Sequence, residues 1–252
     1  MHWFVQSPGR NRDMVDRITN ALRTLEGPYS FVELKPFTNE IPALRLSDFE
    51  PPYICWGPAW VPRAVTHPQL RSGIWYSDDD FRWSAFSRHW SDLMITKGRL
   101  VPFSELEERL TDDPVFVRPD ADSKYFPGGV YSKGQKPVTR KNLPDFDVVI
   151  GDYANIRNEY RLFIVDNQVV TGSSYRLDGV PRAEALLPVH VVDFAKTVIS
   201  LWQPADVFCL DIGETEEGIG IVEANCFNAS RHYAADTLKI IQAVCSRLSA
   251  SL

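Results

Sequence analysis

Two apolar runs near the C-terminal end, each interrupted by one carboxylate, constrain this chain more than any other feature. They are Val207-Phe208-Cys209-Leu210-Asp211-Ile212 and Ile219-Gly220-Ile221-Val222-Glu223-Ala224-Asn225, separated by the polar turn Glu216-Glu217-Gly218. Short apolar runs bounded by turn residues read as strands buried in a sheet. With a three-residue loop and Gly218 in the left-handed position, the spacing predicts a hairpin in which Asp211 lies directly opposite Glu223. A one-residue slip would carry Glu223 and Asn225 together to the other face. Two carboxylates facing each other across a ladder repel. A divalent cation between them removes that penalty, and Asn225, two residues on, adds a neutral oxygen on the same side. Such oxygen-only donors suit Mg²⁺ or Mn²⁺, with nucleotide phosphates and water completing the shell. The plainer alternative, one carboxylate turned to solvent, suits so apolar a strand pair less well.

Three other segments hold groups of complementary chemistry. Val115-Phe116-Val117-Arg118-Pro119-Asp120 reads as a strand ending in a cation, followed by Lys124 and the loop Phe126-Pro127-Gly128-Gly129-Val130. Backbone N–H groups approach phosphates closely where no Cβ intervenes, and Arg or Lys adds charge. A Gly-Gly pair by itself is more often a plain turn. Glu159 to Val165 and Val169 to Arg176 read as a hairpin around Asp166-Asn167-Gln168. Alternation puts Glu159, Arg161 and Phe163 on one face, and a two-residue turn would add Val170, Gly172, Ser174 and Arg176 to it. An exposed face of ion pairs accounts for that pattern equally well. Asn228-Ala229-Ser230-Arg231-His232-Tyr233 opens the last helix, where Asn228 or Ser230 suits a cap. His232 alone is more often a packed or solvated histidine than a base.

The remaining sequence places these segments in the second half of a two-part chain of 252 residues. Strands are expected at 2–6, 30–34 and 53–56, the last preceded by Pro51-Pro52, and a helix at 10–25. A Trp- and Phe-rich stretch from Trp56 to Trp90 fits core filling better than a stacking surface for bases. A boundary near Lys97-Gly98-Arg99 divides an N-terminal α/β unit, 1–98, from a second unit, 99–252. Ser104 and Glu107 have capping-box spacing for a helix from Ser104. Further helices are expected at 188–202 and 232–249. The net charge of −6 argues against nucleic acid or an anionic membrane as partner. Four scattered cysteines without zinc spacing, no signal-peptide pattern and no long apolar run point to a soluble, cytoplasmic protein.

The second half resembles the ATP-grasp superfamily. It is similar to a phage and bacterial clade in which arginine replaces a usual phosphate-binding lysine. The resemblance rests on Phe116-Val117-Arg118-Pro119 with Lys124 and Phe126, on Glu159-Tyr160-Arg161, on Ser174-Tyr175-Arg176, and on Leu210-Asp211 followed by Val222-Glu223-Ala224-Asn225 and Asn228. It implies an α/β (α+β) fold in which two subdomains sandwich ATP, preceded by a small N-terminal α/β domain. Arg118 and Lys124 would meet phosphates, and Gly128 and Gly129 would form the loop closing over them. Val149 to Tyr153, with Ile150 and Asp152, would supply the strand and hinge at adenine, with Glu159 just beyond and Asn228 lining the same pocket. Asp211, Glu223 and Asn225 match magnesium ligands, and Arg161 and Arg176 would be catalytic, Arg176 at the terminal or acyl phosphate. The hinge Ile150-Gly151-Asp152-Tyr153 departs from the family's acidic-hydrophobic pattern. The implied chemistry joins a small-molecule or peptide carboxylate to an amine through an acyl phosphate, with ATP and Mg²⁺. A non-catalytic nucleotide-binding module and an ATP-grasp kinase are the alternatives.

Overall fold

The computed structural model describes residues 1–7, 9, 11–35, 38, 40–42, 44–122, 125–139 and 143–250. Its first sheet holds β1 (His2–Gln6), β2 (Tyr29–Val32) and β3 (Tyr53–Trp56), all parallel, in the order β2-β1-β3. Parallel neighbours need a crossover, and α1 (Arg12–Thr24) supplies it between β1 and β2. Alternate strand residues serve two cores. Trp3, Val5, Ile54 and Trp56 face α1, whereas Phe4, Tyr53 and Cys55 pack with Trp60 and Leu70. The aromatic stretch beyond, which includes α2 (Val61–Ala64) and α3 (Trp83–Trp90), is largely interior: Trp60, Phe81, Phe86 and Trp90 are each at most 1% exposed.

A second sheet is antiparallel, in the order β4-β7-β5-β6. Its strands are β4 (Gly98–Pro102), β5 (Val115–Pro119), β6 (Gly129–Tyr131) and β7 (Asp147–Asp152). The helix expected from Ser104 shrinks to one turn, α4 (Leu106–Arg109). Ser104 does not close a capping box with Glu107. Its N–H and hydroxyl both bond the Asp145 carboxylate, at 3.0 and 2.7 Å.

The largest sheet is antiparallel, in the order β10-β9-β8-β11-β12. Its strands are β8 (Asn158–Val165), β9 (Gln168–Leu177), β10 (Val180–Glu184), β11 (Val207–Glu214) and β12 (Ile219–Cys226). Helices α5 (Val189–Leu201) and α6 (Thr237–Ser249) cover it on opposite faces. Leu162, Ile164, Phe208 and Leu210 pack under α3 and α5, while Phe163, Val165, Val207 and Cys209 pack under α1 and α6. Burial on both faces explains why β8 and β11 read as continuous apolar runs. Helix α6 starts later than expected. Asp236 caps it, accepting the Lys239 N–H at 3.1 Å, so neither Asn228 nor Ser230 does.

Two hairpins set the register of the site. Asp211 does pair with Glu223, but by a different route from the three-residue loop. The ladder closes one residue earlier, at Glu214 and Ile219, and a bulge between Asp211 and Ile212 absorbs Val222. The extra loop residue and the bulge cancel. In the β8–β9 hairpin, Asp166 and Asn167 make the two-residue turn, both with left-handed φ (52° and 65°). Two bulges then shift the pairing, so that Arg161 lies opposite Ser173 and Glu159 opposite Arg176. Gly172 and Ser174 pair instead with Leu162 and Tyr160 and leave the face expected for them.

Candidate active site

A cavity of about 580 Å³ lies between the four-stranded and five-stranded sheets. Alternation decides its walls. On β5, Phe116 and Arg118 face the cavity and Val117 faces an outer core. On β7, Val149 faces it, while Val148 and Ile150 join that outer core. At one end the five-stranded sheet presents two glycines. A Cβ on Gly213 would sit 2.6 Å from the Ile95 side chain, and one on Gly220 would sit 2.7 Å from it. Ile95 therefore lies flat against the sheet, and with Ile156 and Val222 it makes this end apolar. Such an end accepts a planar base.

The other end is polar and charged. Arg161, Asp211 and Glu223 are direct neighbours across β8, β11 and β12. Arg161 bonds Asp211 in fork geometry, Nε to Oδ1 at 2.8 Å and Nη2 to Oδ2 at 2.6 Å. Arg118 reaches from the opposite sheet to Glu223 Oε2 at 2.9 Å. Asn225 Nδ2 donates to both carboxylates, at 3.2 and 3.0 Å. The repulsion between Asp211 and Glu223 is thus relieved by two guanidinium groups and one amide. Burial pushes the Asp211 carboxyl above its ordinary value, and Arg161 pulls against that rise. Burial also disfavours the Arg161 cation, but the Asp211 charge and hydrogen bonds more than offset it, so Arg161 stays charged.

The donor set fits a hard divalent cation. Asp211, Glu223 and Asn225 offer two carboxylates and an amide on one sheet face. Oxygen donors of this type match Mg²⁺. Among the described residues, no cluster of three His, Cys, Asp or Glu side chains forms a metal cage by itself. A magnesium site here needs phosphate oxygens as further ligands.

The structure gathers some expected residues and separates others. Arg118, Gly128, Glu159, Arg176 and Glu223 line the cavity, and Arg161, Asp211 and Asn225 form its charged end. Arg176 Nε bonds Glu159 Oε2 at 2.8 Å, one row nearer the apolar end than Arg161. Gly129 starts β6 beside Val117, and its neighbours Gly128 and Val130 face the cavity. The side chain of Ile150 points away, and Asp152 is exposed at the end of β7; Val149, Tyr153 and Asn155 line the wall instead. Lys124 lies outside the described residues. Asn228 is fully buried and does not line the cavity. Its Nδ2 bonds the carbonyls of Cys55 and Gly73, both at 2.8 Å, and its Oδ1 accepts the Trp75 N–H at 3.0 Å. It ties the first sheet to the end of β12. Tyr175 and Tyr233 stack beside Arg161, a contact with no sequence signal because the two residues lie in separate segments.

An ATP-grasp domain profile, that of family 2 in the clade named for its exchange of arginine and lysine, matches residues 97–243. The chain belongs to this clade of the ATP-grasp superfamily. Solved structures agree on the fold. D-alanine–D-alanine ligase from Bacillus anthracis matches with a TM-score of 0.59 and 14% identity, over 100% of both chains. A RimK-domain ATP-grasp protein from Sphaerobacter thermophilus matches with a TM-score of 0.58 and 12% identity, over 98% of each chain. The ATP-grasp ligase PsnB, complexed with a minimal precursor, matches with a TM-score of 0.54 and 13% identity, over 100% of this chain and 99% of that one. The fold is therefore that of ATP-grasp ligases, including the N-terminal unit. Among curated proteins none matches the chain. No helix among the described residues is long and apolar enough to cross a membrane.

Proposed function

We propose that this chain is an ATP- and Mg²⁺-dependent carboxylate–amine ligase that works through an acyl phosphate on a small-molecule or peptide substrate. The observation that carries the reading is the cavity's polarity: an apolar, glycine-floored end, and opposite it the row Arg161–Asp211–Glu223–Arg118. A nucleotide needs that order of surfaces, base at one end and phosphates at the other. Solved relatives in fold carry such ligands: the Bacillus anthracis ligase is complexed with ATP, and PsnB with Mg and ADP.

In this reading Arg118 and the Gly128 loop hold phosphate oxygens, and Glu159 meets the ribose hydroxyls while Arg176 steadies it. Asp211, Glu223 and Asn225 would hold Mg²⁺, which supplies charge neutralisation at the phosphates. Arg161, fixed by its fork to Asp211, remains a cation beside the reacting carboxylate. A carboxylate oxygen attacks the γ-phosphorus and ADP leaves. The amine nitrogen then attacks the acyl carbon, phosphate leaves, and the amine gives up a proton. No enzyme nucleophile is needed. The inventory agrees: burial pushes the Cys209 thiol up to about 12, and His232 is fully buried with its pKa pushed down to about 3. Residues 1–98 form the substrate-side unit in this proposal, and a cytoplasmic setting suits four free thiols.

Calorimetric titration of ATP with and without Mg²⁺, on wild type and Glu223→Gln, tests the reading first. Magnesium-dependent binding that the substitution weakens is expected. A second assay supplies hydroxylamine as a general amine and follows ADP and hydroxamate. ADP formed with phosphate retained on the substrate would instead identify a kinase, and absence of nucleotide binding would remove the enzyme reading altogether.

A further inference from the structure

Tyr233 is the residue whose conformation the fold has to enforce. It adopts a left-handed backbone, φ 49°, which costs energy for a bulky side chain. Helix α1 enforces it. Arg17, on that helix, donates through Nη1 to the Tyr233 carbonyl and through Nη2 to the Ala235 carbonyl, the latter at 2.6 Å. A guanidinium spanning two carbonyls of one turn fixes that turn's path. The Tyr233 ring is thereby stacked on Tyr175, with centroids 4.9 Å apart and 16° between planes. The Arg161 guanidinium lies 5.3 Å from the Tyr233 centroid and 5.9 Å from that of Tyr175.

Arg161 also has donors to spare. It is only 8% exposed, and its hydrogen bonds use Nε and Nη2, both on Asp211. Nη1 is left with two N–H groups beside the tyrosine pair. A nearly buried cation with an uncommitted, directed pair of donors is a carboxylate receptor. The rings supply an apolar wall for whatever carries that carboxylate. Tyr175 also lines the nucleotide cavity, so this receptor adjoins the phosphate end.

We propose that Arg161 Nη1, Tyr175 and Tyr233 form the subsite for the acceptor carboxylate, and that Arg17 is a positioning residue that builds it from the N-terminal unit. The proposal rests on the ligase reading for the fate of the carboxylate, but not for its binding. It makes α1 a part of the acceptor site without any α1 side chain touching the acceptor. It also separates the roles of the two arginines: Arg118 serves the nucleotide and Arg161 the acceptor.

The test uses the full chain with Mg²⁺ and a non-hydrolysable ATP analogue bound. N-acetylalanine, N-acetylglutamate and N-acetyltyrosine are titrated calorimetrically, and each is then offered with ATP and hydroxylamine for hydroxamate formation. Tyr233→Leu and Arg17→Met are expected to raise the Kd and the KM of the best carboxylate about tenfold. Nucleotide Kd should stay within about twofold, and kcat should change less than KM. Arg17→Lys, which retains a donor but not the fork, should fall between. Should Arg17→Met fail to fold, Tyr233→Leu alone decides, because that side chain is partly exposed. Unchanged carboxylate affinity in Tyr233→Leu, or no carboxylate binding by wild type with nucleotide bound, overturns the subsite. Carboxylate binding without hydroxamate leaves the subsite standing and removes the ligase reading instead.

Discussion

Asp211→Asn is the most informative single substitution, because the structure changes what it should do. From sequence alone, removing this charge is expected to abolish turnover and spare the fold. In the structure Asp211 is 1% exposed, and both its oxygens bond Arg161, which is itself 8% exposed. An asparagine keeps the shape but leaves a buried guanidinium without its counter-charge. Breaking one side of a buried pair typically costs about 3–5 kcal/mol. For a chain of this size that corresponds to a fall of about 10 °C in Tm. Urea and thermal unfolding, followed alongside ATP turnover, measure both effects. A double variant, Arg161→Met with Asp211→Leu, removes both charges in similar volume and should recover most of the stability while remaining inactive. The coupling energy from the full cycle should exceed about 2 kcal/mol. An Asp211→Asn protein as stable as wild type within about 1 kcal/mol would refute the argument that this pair is buried and mutually dependent.

Other expectations follow from single residues. Asn228→Ala leaves two carbonyls and one N–H unpaired in the interior and should cost about 3 kcal/mol or more by urea unfolding, with nucleotide affinity little changed. His232 is held neutral by burial and by Arg17 and Arg161, with a folded pKa of about 3 against an ordinary 6.5. The unfolded chain therefore binds the extra proton below pH 6.5, so stability is lost as pH falls from 6.5 toward 3. Between about pH 7 and pH 5 wild type should lose about 2 kcal/mol more than His232→Met, and equal losses would show that His232 is not held neutral. Gly213→Val places methyl groups where Ile95 and Ile156 already lie, and should weaken ATP binding about tenfold in a titration.

Much of the site was legible because strand alternation carries it. Arg118 on β5 and Glu159 and Arg161 on β8 reach the cavity from positions that period-two reasoning selects. The pairing of Asp211 with Glu223 was legible only in its result, since a longer loop and a bulge at Val222 offset each other. In the β8–β9 hairpin the bulges did not offset, and the face expected for Gly172 and Ser174 was wrong. A bulge depends on what the strand must pack against, and no local composition announces it.

The sequence by itself determined the elements, the apolar and polar faces of the long strands, and the family to which the chain belongs. Those features are local, because each depends on the spacing of residue types within about ten positions. Only the tertiary structure decided that Asp211 is held by Arg161, that Asn228 joins the first sheet to β12 rather than facing ligand, and that Arg17 shapes Tyr233. Arg17 and Tyr233 lie 216 positions apart in the chain. Contacts at such separation arise when α1, α6 and the five-stranded sheet close a common core, and the buried polar groups must then find partners from whichever segment packing has brought within reach.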